Sequence, residues 1–146
     1  MFETFTEKAI KSIILAQEES RRLGHNFVGT EQILLGILGV GSGIGARALQ
    51  SAGVTHKDAR VEVEKLIGRG NFLVSVEIPF TEGAKGVLER SCAESKRIGD
   101  DYVATEHMLL GILRKRPCVA IKVMEELGVN FEELEQNIFH LIDESK

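Results

Sequence analysis

The sequence lacks the residue sets that mark a metal or redox centre. Its two cysteines, Cys92 and Cys118, lie far apart in apolar surroundings, and no C-x-x-C occurs. They read as free buried thiols. The four histidines, His25, His56, His107 and His140, are scattered, and none pairs with Cys or His at a ligand spacing. That predicts no metal site. Positive charge is also short: 18 Lys and Arg against 22 Asp and Glu leave a net charge of −4. A phosphate backbone is therefore an unexpected partner. No apolar run reaches the roughly 18 residues of a membrane span, and Met1-Phe2-Glu3 opens without a signal-peptide pattern. Together these absences predict a soluble intracellular protein with no nucleic acid, metal or membrane span. What is present, 43% hydrophobic and 27% charged residues over 146 positions, suits a folded domain or two small lobes sharing a core.

The sequence is a tandem repeat. Shifted by 75 residues it aligns with itself without a gap, and about 20 of roughly 64 aligned positions are identical. Phe5-Thr6-Glu7 falls on Phe80-Thr81-Glu82, and Thr30-Glu31 on Thr105-Glu106. Leu34-Leu35-Gly36-Ile37-Leu38 falls on Leu109-Leu110-Gly111-Ile112-Leu113, and Gly53-Val54 on Gly128-Val129. A gapless match of this extent marks a duplicated structural unit. The boundaries read as repeat one over 5–68, a linker over 69–79 and repeat two over 80–143.

Each copy predicts four helices. The first opens at Thr6, a hydroxyl suited to a helix start. It buries Ala9, Ile13, Ala16 and Ser20 at spacings of three and four, and ends at Gly24. The second opens at Thr30 and is apolar nearly all round, so it should be the most buried. Its Gly36 predicts close approach of another helix. The third runs near Ile44–Ala52 and the fourth near Lys57–Ile67, with Val61, Val63, Leu66 and Ile67 apolar. The second copy repeats this at Thr81–Ile98, Thr105–Lys115, Val119–Leu127 and Phe131–Ile142. Between the copies, Phe72 to Pro79 is β-branched and ends in proline, which predicts an extended segment. Neither copy holds a large core of its own. The expected fold class is therefore all-α: two four-helix repeats packed as a pseudo-twofold bundle.

Chemistry-bearing motifs are few. Gly39 to Ala46 contains G-x-G-x-x-A, but a helix precedes it where a dinucleotide fingerprint needs a strand, and no Gly-Lys-Ser/Thr follows. It reads as a flexible helix–helix loop. Arg114-Lys115-Arg116, at the same place in the other copy, reads as a solvated turn. No Ser-His-Asp signature appears, and the paired carboxylates Glu18-Glu19 and Glu132-Glu133 fall on amphipathic helices where exposure is the default, so no catalytic residue and no cofactor is expected. Thr6 with Glu31, and Thr81 with Glu106, each combine a helix-start hydroxyl with a first-turn carboxylate. The simpler reading is a cap and a dipole partner. The other is a site in which a helix start holds an anion and the carboxylate pairs with a guanidinium.

Phe5-Thr6-Glu7-Lys8-Ala9, Leu23 through Gly36, Lys65 through Gly70, Val76 through Thr81 and Thr105 through Gly111 resemble the Clp N-domain repeat. The likeness spans about Phe2 to Ile142 and is closest to ClpC-type AAA+ unfoldases of the cyanobacterial and chloroplast lineage. The resemblance implies a mobile, non-catalytic domain in front of an ATPase ring that feeds the ClpP protease. It would recruit protein substrates and ClpS-type or MecA-type adaptors, in a cyanobacterial-type cytoplasm or the chloroplast stroma. A stand-alone Clp-repeat protein that regulates or assembles a Clp protease is the alternative. The resemblance also implies phosphoarginine binding at Thr6, Glu31, Thr81 and Glu106. Where the family usually has Thr-Pro-Arg-Ala-Lys-Arg, this chain has Thr81-Glu82-Gly83-Ala84-Lys85-Gly86. The first site keeps Lys8 where the second has Gly83, so the first is expected to be the stronger.

Overall fold

The computed structural model of the chain describes residues 1–73 and 78–146. Among these it has eight helices: α1 (Glu7–Arg22), α2 (Thr30–Val40), α3 (Gly43–Ser51), α4 (His56–Ile67), α5 (Glu82–Ile98), α6 (Thr105–Arg114), α7 (Val119–Glu126) and α8 (Phe131–Glu144). The expected starts are the observed ones to within a residue. Thr6 and Thr81 stand just before α1 and α5, and their hydroxyls accept from Ala9 N (3.2 Å) and Ala84 N (3.1 Å). Each satisfies a backbone donor that the helix itself cannot. Gly24 and Gly99 take positive φ at the other ends. His25 N and Asp100 N then reach back to Ser20 O and Ser95 O, both 3.0 Å, the six-to-one closure that a left-handed residue permits.

Helices α2 and α6 form the centre. Ile33, Leu34, Leu35 and Ile37, and their counterparts Met108, Leu109, Leu110 and Ile112, are fully buried. The α1 face expected from the spacing (Ala9, Ile13, Ala16, Ser20) is buried too. A Cβ on Gly36 would run into the Ser12 carbonyl, and one on Gly111 would stand 2.6 Å from Val87 O. Glycine at these positions lets α1 lie directly on α2, and α5 on α6. In α4 the apolar count overstated the buried face. Ala59 and Val63 are buried, whereas Val61 and Leu66 are 49% and 39% exposed.

The two copies interlock rather than sit side by side. Helix α3 packs on α6 and α8 of the other copy, and α7 packs reciprocally on α2 and α4. The third helices are capped from across this boundary. Thr105 Oγ1 accepts from Gly45 N in α3, and Thr30 Oγ1 accepts from Ala120 N in α7, both 3.1 Å. Two short parallel bridges, Phe5 with Val103 and Val28 with Phe80, repeat the exchange at the helix entries. One hydrophobic cluster consequently runs through both copies, the shared core that the sequence predicted.

Two loop readings change. Gly39 lies in α2, and Gly43, Gly45 and Ala46 lie in α3, so only Gly41 and Ser42 separate the helices. The segment is a tight corner, not a flexible loop, and Gly45 faces the Thr105 backbone at a distance that a Cβ would bring to 2.9 Å. The linker's described part is extended. Gly70 N and Phe72 N donate to Leu23 O (2.7 Å) and Gly24 O (2.9 Å). Residues 74–77 of that expectation lie outside the described residues.

Candidate functional site

The four candidate residues fall at two related places, but not in the expected pairs. Thr81 and Glu31 line one cleft, with Phe27, Ile67, Pro117 and Val119 as its apolar walls. Thr81 N donates to Val28 O (2.9 Å), which brings the start of α5 onto the segment that leads into Glu31. The same exchange puts Thr6 on the Glu106 side, where Thr6 N donates to Val103 O (2.9 Å). Each helix-start threonine therefore faces the carboxylate of the other copy. The pairing of Thr6 with Glu31 and of Thr81 with Glu106 is corrected by the crossed entry strands.

Glu31 is 2% exposed. Its carboxylate folds back over Gly29, where a Cβ would collide with it. Burial is the main cause that holds its carboxyl above the ordinary value, against its own backbone N–H and the His25 field. No lysine or arginine among the described residues ion-pairs with it. A desolvated carboxylate normally has such a partner, and Glu31 has only its own backbone N–H and the field of His25. Glu106 is also buried, at 7%, but Lys146 lies within its electrostatic reach.

Lys8 belongs to the Glu106 side. Its Cδ lies 3.4 Å from where a Cβ on Gly43 would stand, next to Thr105 Oγ1. The expected ranking, which set Lys8 beside Glu31, loses its basis. The cation that lines the Glu31 cleft is Lys115. This also revises the solvated-turn reading of the basic cluster. Arg114 bridges Glu135 (2.6 Å) and Glu94 (3.3 Å), and the Arg116 guanidinium sits 4.3 Å from the centre of the Phe131 ring. Repeat one solves the same problem differently, with Arg60 of α4 paired directly to buried Glu19 at 2.6 Å. Burial raises the Glu19 carboxyl, but Arg60, Arg22 and His56 outweigh it and hold it below its ordinary value.

Sequence reasoning missed the polar pair below the second site. His107 Nδ1 accepts from Ala104 N (2.8 Å), which leaves the ring proton on Nε2 to donate to Asp100 Oδ2 (2.8 Å). Gln32 Oε1 accepts from Gly29 N (2.8 Å) at the equivalent place. A helix-start side chain three residues in was the available signal. Cys92 and Cys118 are free and partly buried. Among the described residues no His, Cys, Asp and Glu group could hold a metal ion, and no single helix is long and apolar enough to cross a membrane.

Residues 4–127 match the family described as the Clp repeat (R) N-terminal domain. The ATP-dependent Clp protease ATP-binding subunit ClpA homolog of Cyanidium caldarium is 59% identical over 145 residues, covering 99% of this chain and 17% of that protein. Chaperone protein ClpC2, chloroplastic, of Oryza sativa subsp. japonica is 59% identical over 99% of this chain and 16% of its own length. The chain thus spans about one sixth of these relatives. Among solved structures, the N-terminal domain of the caseinolytic protease associated chaperone ClpD from Arabidopsis thaliana superposes with a TM-score of 0.83 at 28% identity, covering 97% of this chain and 99% of that one. The Hsp104 N-terminal domain from Candida albicans shares the fold, with a TM-score of 0.77 at 21% identity over 95% and 91% of the two chains.

Proposed function

The chain belongs to the Clp repeat N-terminal domain family, and from that premise we propose that it is the substrate- and adaptor-docking domain of a ClpC-type ATP-dependent unfoldase that feeds ClpP. Its organisation is repeat one over 5–68, a linker over 69–79 and repeat two over 80–143. It is non-catalytic and takes no cofactor. Its partners are protein substrates and adaptors of the ClpS or MecA type, in the chloroplast stroma or a cyanobacterial-type cytoplasm.

The observation that carries the site reading is the bare Glu31 carboxylate, 2% exposed, in one cleft with the start of α5 at Thr81. A guanidinium satisfies such a carboxylate with charge-assisted hydrogen bonds, and the helix start supplies free N–H groups for an anion. Phosphoarginine on a marked substrate carries both groups. The Thr6 and Glu106 side repeats the arrangement. Glu31 is the more deeply buried carboxylate, 2% against 7% exposed, so Glu31→Ala is the more damaging of the two truncations.

The test is a calorimetric titration with phosphoarginine of wild type, Glu31→Ala and Glu106→Ala. Loss of one charge-assisted contact, worth about 1.5–3 kcal/mol, weakens binding roughly tenfold or more. No binding by wild type at millimolar ligand would return the four residues to capping alone.

A further inference from the structure

The two clefts are not equivalent in where their lysines come from. At positions 8, 11 and 40 the first copy has Lys8, Lys11 and Val40. The matching positions of the second copy, 75 residues on, hold Gly83, Gly86 and Lys115. The helix that opens at the threonine lacks the two lysines of positions 8 and 11 and has Lys85, paired with Glu82, where the first copy has Ile10, while one lysine stands at the end of the neighbouring helix. On sequence alone the glycines read as a loss of charge beside Thr81.

The packing shows that these changes belong together. A Cβ on Gly86 would stand 2.5 Å from Lys115 Cε and 3.0 Å from its Cδ. The lysine chain therefore lies across α5 on the surface that glycine leaves bare, and Gly86 is buried beneath it. Any larger residue at 86 pushes the chain away. Lys115 lines the same cleft as Glu31 and Thr81, and its amine has no ion-pair partner among the described residues. The cleft thus presents an unpaired cation and an unpaired, almost fully buried anion that do not neutralise each other. That charge pattern complements a ligand with an anionic end and a cationic end.

We propose that Lys115, at the end of α6, is the anion-recognising residue of the Glu31 cleft, whereas on the other side a lysine near Thr105, Lys8, comes from α1. Gly86 is its positioning residue, since it leaves the groove in which the lysine chain lies. The inference rests on the ligand reading above and adds which residue selects the phosphate end.

The experiment titrates phosphoarginine and free arginine into the chain in a Glu106→Ala background, so that the Glu31 cleft alone reports. Lys115→Val should weaken phosphoarginine about tenfold, the scale of one charge-assisted contact, and leave arginine unchanged. Adding Gly83→Lys should restore phosphoarginine binding. There is room for it, because a Cβ at 83 meets only Thr30 Cγ2 at 3.4 Å and Thr81 Oγ1 at 3.8 Å. Gly86→Ala should weaken phosphoarginine while the melting temperature holds or rises, because alanine favours the helix as it displaces the lysine. If Lys115→Val binds phosphoarginine as tightly as its parent, or loses both ligands equally, Lys115 is not the anion contact and the inference fails while the cleft reading stands. If the Lys115-bearing parent binds neither ligand, the cleft reading itself fails and takes the inference with it.

Discussion

Replacing Glu31 by glutamine keeps the shape of the side chain and removes a charge that the fold holds at a loss. The carboxyl is 2% exposed, ion-pairs with no lysine or arginine among the described residues, and is held above its ordinary 4.5 chiefly by burial, against its own backbone N–H and the His25 field. The sign follows from proton counting. Between its unfolded and folded values the native state binds the extra proton, so stability is fully present below about 4.5 and falls as pH rises through the folded value. The slope across that window is about 1.4 kcal/mol per pH unit for one proton. Glutamine has no such slope. The melting temperatures of wild type and Glu31→Gln, measured from pH 4 to 8, should therefore diverge with rising pH. The variant gains by roughly 4 °C per kcal/mol at this chain length, and the gap levels off once Glu31 is ionised. Contributions that do not depend on pH, including any change in packing, cancel from that difference. Glu19, Glu94 and Asp100 are held below their ordinary values, so both proteins lose stability together as acid protonates them. A gap that stays constant from pH 4 to 8, or that widens toward acid, would refute the claim that Glu31 is a desolvated, uncompensated carboxylate.

Two further outcomes follow from the interlocked core. Thr105→Val removes the hydroxyl that caps α3 from the other copy and should cost about 0.5–2 kcal/mol in urea unfolding, the range of a lost helix cap. A value near zero would mean that the cross-copy bond carries no stability. Gly36→Ala and Gly83→Ala are the same change in two helices with opposite results. At 36 the new methyl meets the Ser12 carbonyl and should cost about 1–3 kcal/mol as overpacking. At 83 it meets ordinary contacts and should add up to about 1 kcal/mol of helix stability.

Much of the architecture was legible because it rests on local rules. Thr6 and Thr81 cap, Gly24 and Gly99 stop, and the apolar girth of α2 and α6 predicts their central place. Each of these is decided within a few residues of chain. The α4 face was less legible because Val61 and Leu66 look like core residues in a linear count, and the other copy is what decides which of them finds a partner. Gly39 to Ala46 was misjudged for a similar reason. Glycines that signal a loop in isolation are here the small residues that let α3 turn sharply off α2 and approach Thr105.

The crossed pairing of the site was beyond the sequence for a reason that belongs to duplication itself. A gapless repeat makes Glu31 equivalent to Glu106 and Thr6 equivalent to Thr81. A twofold arrangement can then join each threonine to the carboxylate of its own copy or to that of the other. Both joinings satisfy the same residue pattern, the same caps and the same helix lengths. What selects between them is the entry strand. Phe5 pairs with Val103 and Phe80 with Val28, so each first helix starts beside the other copy's entry to its second helix, although α1 lies along α2 and α5 along α6. The packing of α5 on α6 within the second copy explains how Lys115 can stand in for a lysine on α5 without being its sequence neighbour. The two helices converge on one cleft, and a cation reaching it from either satisfies the same electrostatic requirement, provided that the opposing surface is cut back to glycine, as it is at Gly86.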